Sequence, residues 1–424
     1  MTVTITPQAL SGTVAAIPSK SVVHRLLIGA ALGDREVFLP CLVQSRDMTA
    51  TAGALASLGA GMVATADGFS VTPLGQWQSG AVLDCDESGS TYRFLVPTAC
   101  TSGQSVTFRL AGRLPDRPMD PLWAVLESHG IRVRGKGTPE VSLSGRLTAG
   151  RYELAGDVSS QFVSGLLFAL PLLSGDSEVV LTSPAQSAGY MEMTRRVLEA
   201  FSVQTLPTRA GFHVPGGQRY HTPPTLSTEG DWSGAAFWLC AAAARGQGIT
   251  VTGLARDSVQ GDRAVCELLS RFGAEVTQTA ETVTVRPGRL RAIRIDAADI
   301  PDLVPALAVA AAAAEGCTVI DHADRLCHKE SDRAHTVCRT LCALGGLAES
   351  DGHTMTITGT GSLTGGQADS FGDHRIAMMA AAASVLCREA VTVTGAEAVD
   401  KSYPGFFADF VGLHGQLREG GQPS

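Results

Sequence analysis

A chain of 424 residues, 44% of them apolar, is longer than one hydrophobic core ordinarily serves, and it predicts two or more domains. A net charge of −8 excludes nucleic-acid binding through a global field, so an anionic ligand would need a local concentration of cations. The most apolar run, 304–314, is too short to cross a bilayer, and the opening residues lack a basic segment followed by an apolar one, so neither a membrane span nor a secretory leader is expected.

One kind of module recurs along the chain. An apolar-periodic helix ends at a small residue, and a strand–turn–strand follows. The copies read ASLGAGMVATADGFSVTP, LESHGIRVRGKGTPEVSLSG, LEAFSVQTLPTRAGFHVPGG, LSRFGAEVTQTAETVTVRPG and CALGGLAESDGHTMTITGTG, and a degenerate sixth, ADFVGLHGQL, comes last. The helix ends fall at Gly59, Gly130, Ser202, Gly273, Gly345 and Gly412, separated by 71, 72, 71, 72 and 67 residues. Glycine suits the left-handed position after a helix, and Ser202 fits it less well. A second helix is predicted in the modules, for example at 90–99, 159–173 and 372–387. Six α/β modules predict two domains of three modules each.

The polar residues between these elements carry the chemistry. In Ile17-Pro18-Ser19-Lys20-Ser21-Val22-Val23-His24-Arg25, Pro18 stops a strand, Ser19 or Ser21 can cap a helix, and Lys20 and Arg25 lie in its first turns. Ser88-Gly89-Ser90 opens an apolar helix with Arg93 one turn in, and Gly89 admits a ligand close to backbone amides. Arg113 and Arg117 sit in a proline-stiffened loop, where Arg117 suits a carboxylate or phosphate. Ser159-Ser160-Gln161-Phe162 begins another helix with hydroxyls and an amide, either as a cap or as polyol ligands. Asp302, in Ile300-Pro301-Asp302, reads as a helix cap or as a proton acceptor. In His328-Lys329-Glu330-Ser331-Asp332-Arg333, Lys329 and Arg333 are four apart and are expected to share a helix face. Gly372-Asp373-His374-Arg375 opens one more helix, and Asp400-Lys401-Ser402-Tyr403-Pro404 follows.

Only four lysines occur, Lys20, Lys136, Lys329 and Lys401, which makes each a candidate for chemistry. Lys136, in a glycine turn, reads as surface. Ten cysteines form no C-x-x-C pair, which fits reduced thiols in a cytoplasmic protein better than disulfides or a zinc site.

SKSxxxR, SGSxxR, Arg-Pro in a loop, SSQF, EGDxS at 229–233, DSVQGD at 257–262, IPD, KESDR, GDHR and DKSYP follow one another over essentially the whole chain. In that order they resemble the enolpyruvyl transferase family, most closely its shikimate 3-phosphate branch. The resemblance implies an α/β fold of two domains, an inside-out α/β barrel, each domain three βαβαββ repeats. One domain would comprise 1–18 plus 231–424, with the N-terminal strand, and the other 19–230. Substrates would bind in the cleft, with the domains closing over them.

The implied substrates are phosphoenolpyruvate and shikimate 3-phosphate, with no cofactor, metal, nucleic acid or membrane, in a monomer. Ser21, Arg25, Ser159, Ser160, Ser187, Asp302 and Lys329 would hold shikimate 3-phosphate, and Gln161 would lie between the two substrates. Lys20, Arg117, Arg333, Arg375, Lys401 and the amide of Gly89 would hold phosphoenolpyruvate. Asp302 and Glu330 would divide the proton transfers, with Lys20 beside them. The alternatives are a paralogue acting on a related cyclohexene acid, UDP-N-acetylglucosamine enolpyruvyl transferase, and a binding protein without activity. The second of these carries a reactive cysteine before the Arg-Pro, whereas the loop 111–118 has none.

Overall fold

The computed structural model describes residues 1–420. The chain forms two compact units, Pro18–Thr228 and Met1–Ile17 with Glu229–Ser424. Among the described residues no helix is long and apolar enough to cross a membrane.

Within Pro18–Thr228 the module is clearest at its centre. Strands Ala81–Asp84 and Val106–Arg109 run parallel, joined through the helix Gly89–Cys100. After the helix Asp120–Ser128, Ile131–Arg134 and Glu140–Gly145 return antiparallel to complete a βαβαββ unit. The same order recurs in the sheet of Arg151–Leu154, Ser177–Leu181, Gly211–Val214 and Leu206–Thr208. The first module has only three strands, Val37–Pro40, Gly68–Thr72 and Gly61–Thr65.

In the other unit the sheet of Arg294–Asp296, Gly316–Asp321, Met355–Gly359 and Leu347–Ser350 repeats the pattern without help. The two remaining sheets each borrow a strand from the start of the chain. Leu10–Ala15 pairs in parallel with Gly246–Thr252. Thr2–Thr6 lies between Val391–Thr394 and Gln416–Gly420, antiparallel to both. The sixth copy reads as degenerate because one of its strands comes from the beginning of the chain.

The register of the repeat has a backbone cause. Gly59, Gly130, Gly273 and Gly345 take φ of 114°, 94°, 107° and 85°, and Ser202 takes 60° in the same place. Gly412 departs from the expectation. It is the last residue of the helix Phe406–Gly412, and the left-handed residue is His414, with φ 68°.

Three buried helices stand at the centre of each unit. In one they are Trp232–Ala244, Val304–Ala313 and His374–Ala383, packed on one another. Their alanines allow close approach, and they are apolar all round because every face is covered. In the other, Gly89–Cys100 packs along Ser160–Ala169, with Lys20–Leu32 nearby. Gly165 sets that approach. A Cβ there would run into the carbonyl oxygen of Arg93 and lie 2.9 Å from Pro97 Cγ. Gly165→Ala is therefore expected to destabilise the protein by about 1–3 kcal/mol, the usual range for overpacking, read as a lower urea midpoint. An unchanged midpoint would show that the two helices do not meet in this way.

Candidate active site

The central helices begin where the sequence concentrates its polar residues. Lys20 is the first residue of Lys20–Leu32, Gly89 of Gly89–Cys100 and Ser160 of Ser160–Ala169. In the other unit Asp231 and Asp373 are N-caps, and Asp302 stands in the turn before Val304–Ala313. Helix starts present unused N–H groups and the positive end of the dipole, so all six places favour negative charge.

In Pro18–Thr228, Lys20 Nζ lies 2.8 Å from Asp47 Oδ2. Ser19 holds the N-cap position, so Ser21 falls inside the first turn. Arg25 is buried. Its Nε donates to Thr194 Oγ1 at 2.8 Å, Nη1 to the Ser21 carbonyl at 2.6 Å, and Nη2 to the Tyr190 carbonyl at 3.0 Å. The guanidinium also lies 4.8 Å from the centre of the Phe94 ring. Burial pushes its pKa down to about 9. No carboxylate is among these partners, so the charge is solvated by neutral dipoles alone.

Arg117, just after the 3-10 turn Leu114–Asp116, meets Gly89 at the start of the helix Gly89–Cys100. A Cβ on Gly89 would lie 2.7 Å from Arg117 Nη1, so glycine leaves room for the guanidinium across the helix start. Gln161 is held from both ends of its amide. Its Nε2 donates to Ser90 Oγ at 3.0 Å, and its Oε1 accepts from Arg93 Nη1 at 2.8 Å. Ser159 caps its helix through the Gln161 amide, and Ser160 is buried beside it. Ser187 is buried with φ 58°, a left-handed conformation costly for a residue with a Cβ.

The other unit holds a denser cluster. Asp302 Oδ1 lies 2.6 Å from Arg333 Nη1, 3.2 Å from Lys329 Nζ and 3.6 Å from Arg375 Nε. Burial by itself would raise the Asp302 carboxyl, but Arg375, Lys329 and Arg333 outweigh it and hold it well below the usual carboxylate range. Arg333 is 1% exposed and also donates to Glu330 Oε2 at 2.7 Å and to Asp373 Oδ2 at 2.8 Å. Burial lowers Lys329 to about 8, helped by Arg333 and Arg325 against Asp302 and Glu330. Arg375 also donates to the Asp302 carbonyl at 3.2 Å. Lys401 is buried at the end of the turn Ala396–Lys401, which packs on the helix of Arg375.

Two expectations need correction here. Lys329 and Arg333 do not share a helix face. Lys329 ends the 3-10 turn Asp324–His328, and Asp332 caps a new helix, Arg333–Ala343. Both still reach Asp302, by the fold of the turn between them. Nor does Asp302 cap its helix, since Leu303 holds that position and the carboxylate is turned to the cations. Sequence reasoning also passed over Asp47, Tyr190 and Asp262. Asp262 is buried, bonded to Ser233 Oγ, and raised to about 6 by burial and by Asp302. Its signal was the unassigned Asp of DSVQGD.

The profile of the family described as EPSP synthase (3-phosphoshikimate 1-carboxyvinyltransferase) matches residues 5–410. The chain belongs to the EPSP synthase family. A curated 3-phosphoshikimate 1-carboxyvinyltransferase from Clostridium kluyveri is 39% identical over 419 residues, covering 98% of each chain. An EPSP synthase structure from Acinetobacter baumannii superposes with a TM-score of 0.81 at 25% identity, covering 99% of this chain and 100% of that one. The enolpyruvyl transferase NikO from Streptomyces tendae has the same fold, with a TM-score of 0.82 at 19% identity over 100% of this chain and 99% of that one.

Among the described residues no group of three or more His, Cys, Asp or Glu could hold a metal ion. Arg333 pairs with Asp302, Glu330 and Asp373, and removing it strands them. Arg333→Met is expected to destabilise the protein by about 3–5 kcal/mol, because Asp302, Glu330 and Asp373 lose a shared buried cation. Denaturant unfolding reads this directly, and a loss under 1 kcal/mol would mean that solvent already screens those carboxylates.

Proposed function

We propose that the protein transfers the enolpyruvyl group of phosphoenolpyruvate to the 5-hydroxyl of shikimate 3-phosphate and releases phosphate, a step of aromatic biosynthesis. The observation that carries this reading is Asp302, an ionised carboxylate among Lys329, Arg333 and Arg375, in a chain of this family. The proposal takes the two compact units as the family's two domains and draws ligands from both. It puts the reaction in the cytoplasm, in keeping with ten free thiols.

Ser21, Arg25, Ser159, Ser160, Ser187 and Lys329 take shikimate 3-phosphate. Arg25 supports the assignment as a buried cation partnered by hydroxyls and carbonyls, which an anionic group would complete. Lys20, the Gly89 amide, Arg117, Arg333, Arg375 and Lys401 take phosphoenolpyruvate, and Gln161 reaches both substrates.

The chemistry follows from charge. Three cations around one carboxylate make Asp302 a weak base in the free protein. The phosphates and carboxylates of the substrates draw part of that positive charge to themselves. Asp302 then gains proton affinity when the 5-hydroxyl is in place. Glu330 gives a proton to the methylene carbon of phosphoenolpyruvate, leaving an oxocarbenium-like centre at C2. The 5-oxygen bonds to C2 while its proton passes to Asp302, which gives a tetrahedral ketal. A methyl proton returns to Glu330, the C2–O bond to phosphate breaks, and inorganic phosphate leaves with the proton held by Asp302. Fixed cations stabilise the charge that moves onto the departing phosphate.

Asp302→Asn should lower kcat by at least about 100-fold, the low end for a general base, while calorimetry still detects shikimate 3-phosphate binding. Near-normal turnover in that variant would refute the role. Phosphate release with UDP-N-acetylglucosamine but not with shikimate 3-phosphate would refute the proposed reaction.

A further inference from the structure

A chain of hydroxyls inside Pro18–Thr228 takes no part in the chemistry above. His24, Thr51, Thr91 and Ser88 all have 0% exposure. His24 Nδ1 is 2.6 Å from Thr51 Oγ1, Thr51 Oγ1 is 2.6 Å from Thr91 Oγ1, and Thr91 Oγ1 is 2.7 Å from Ser88 Oγ. Ser88 is the N-cap of Gly89–Cys100 and also accepts from the Thr91 amide.

The direction of every bond in the chain follows from its far end. Thr91 donates its one hydroxyl hydrogen to Ser88 Oγ. Thr51 must therefore donate to Thr91, and with its hydrogen used, it can only accept from His24. So Nδ1 carries the proton of the ring. Nε2 is buried and has no hydrogen-bond partner among the described residues. Burial keeps the ring neutral, with its pKa lowered to about 3 despite Asp47.

Both ends of this chain lie beside groups assigned to phosphoenolpyruvate. Lys20 and His24 are one turn apart on Lys20–Leu32, and Asp47 and Thr51 are one turn apart on Arg46–Leu58. The Lys20–Asp47 ion pair and the His24–Thr51 hydrogen bond are thus successive rungs between two helices. Thr91 then ties the second helix to the start of the third, one residue from Gly89 at the cap. Hydrogen bonds all pointing one way polarise each other, and Ser88 accepts the last of them together with the Thr91 amide.

We propose that His24 is a positioning residue: through Thr51 and Thr91 it fixes Lys20 and the amino end of the helix Gly89–Cys100 at the spacing that one phosphoenolpyruvate requires. This rests on the placement of phosphoenolpyruvate at Lys20 and Gly89. A phosphate bound by a lysine and by helix amides needs both at a fixed separation, and neither helix sets it alone.

The test has two arms. Nitrogen-15 NMR of the histidine rings in the intact protein should show His24 protonated at Nδ1 and bare at Nε2, and a protonated Nε2 overturns the chain. Steady-state kinetics and unfolding midpoints are then measured for Thr51→Val, Thr51→Ser and Lys20→Met. Thr51→Val should raise KM for phosphoenolpyruvate on the order of tenfold, the scale of one buried hydrogen bond, and leave KM for shikimate 3-phosphate within about twofold. Thr51→Ser should restore both. A lower midpoint with both KM values unchanged, or equal rises in both, overturns the positioning role. If Lys20→Met raises KM for phosphoenolpyruvate and Thr51→Val does not, this inference alone falls. If Lys20→Met leaves it unchanged, the site assignment falls as well.

Discussion

Arg333 meets Asp302, Glu330 and Asp373 from a position with almost no solvent contact. Three buried carboxylates without a cation between them would be prohibitive. Lys329 and Arg375 bring further positive charge to Asp302, so acidic and basic groups offset one another in pairs. That balance lets a charged cluster sit at the ends of apolar, alanine-rich helices. On the proposed assignment each incoming anion adds negative charge beside Asp302, and its carboxyl responds by holding a proton more tightly. The proposed function thereby couples substrate binding to the proton affinity of Asp302 through electrostatics.

The unit Pro18–Thr228 works on the opposite principle. Arg25 is as buried as Arg333, yet its partners are hydroxyls, carbonyls and an aromatic ring face. Its charge is unbalanced, so it favours an anion from outside the protein. Gly89 leaves space for Arg117, and the Gln161 amide is clamped between Ser90 and Arg93. Pro18–Thr228 therefore holds a buried cation with neutral partners, whereas the other unit holds carboxylates paired with cations.

Much of this architecture was legible in the sequence because it repeats. Left-handed helix ends recur at Gly59, Gly130, Gly273 and Gly345, since a backbone with positive φ admits few other residues. Where serine replaces glycine, at Ser202, the geometry persists and only the signal weakens. The strand exchange was hidden, because Thr2–Thr6 pairs with residues nearly the whole chain away. The reading of 329–333 as one helix followed the spacing of four and overlooked Asp332, whose side chain caps the helix that starts at Arg333. Asp302 was recognised as a helix-start carboxylate, but its direction depends on three cations from two other segments. The His24 chain joins side chains 27 and 40 residues apart and has no periodic signature.

The account depends on Asp302 being ionised in the free protein and gaining proton affinity as anions arrive. Isotope-edited infrared spectroscopy of aspartate-labelled protein, with Asp302→Asn as the difference control, reports that one carboxylate. The account predicts that its carboxylate band persists on acidification through the usual aspartate range, and that it titrates at higher pH when shikimate 3-phosphate and phosphate are bound. A band that protonates at or above the ordinary aspartate value without ligands, or that does not move when they bind, would contradict it.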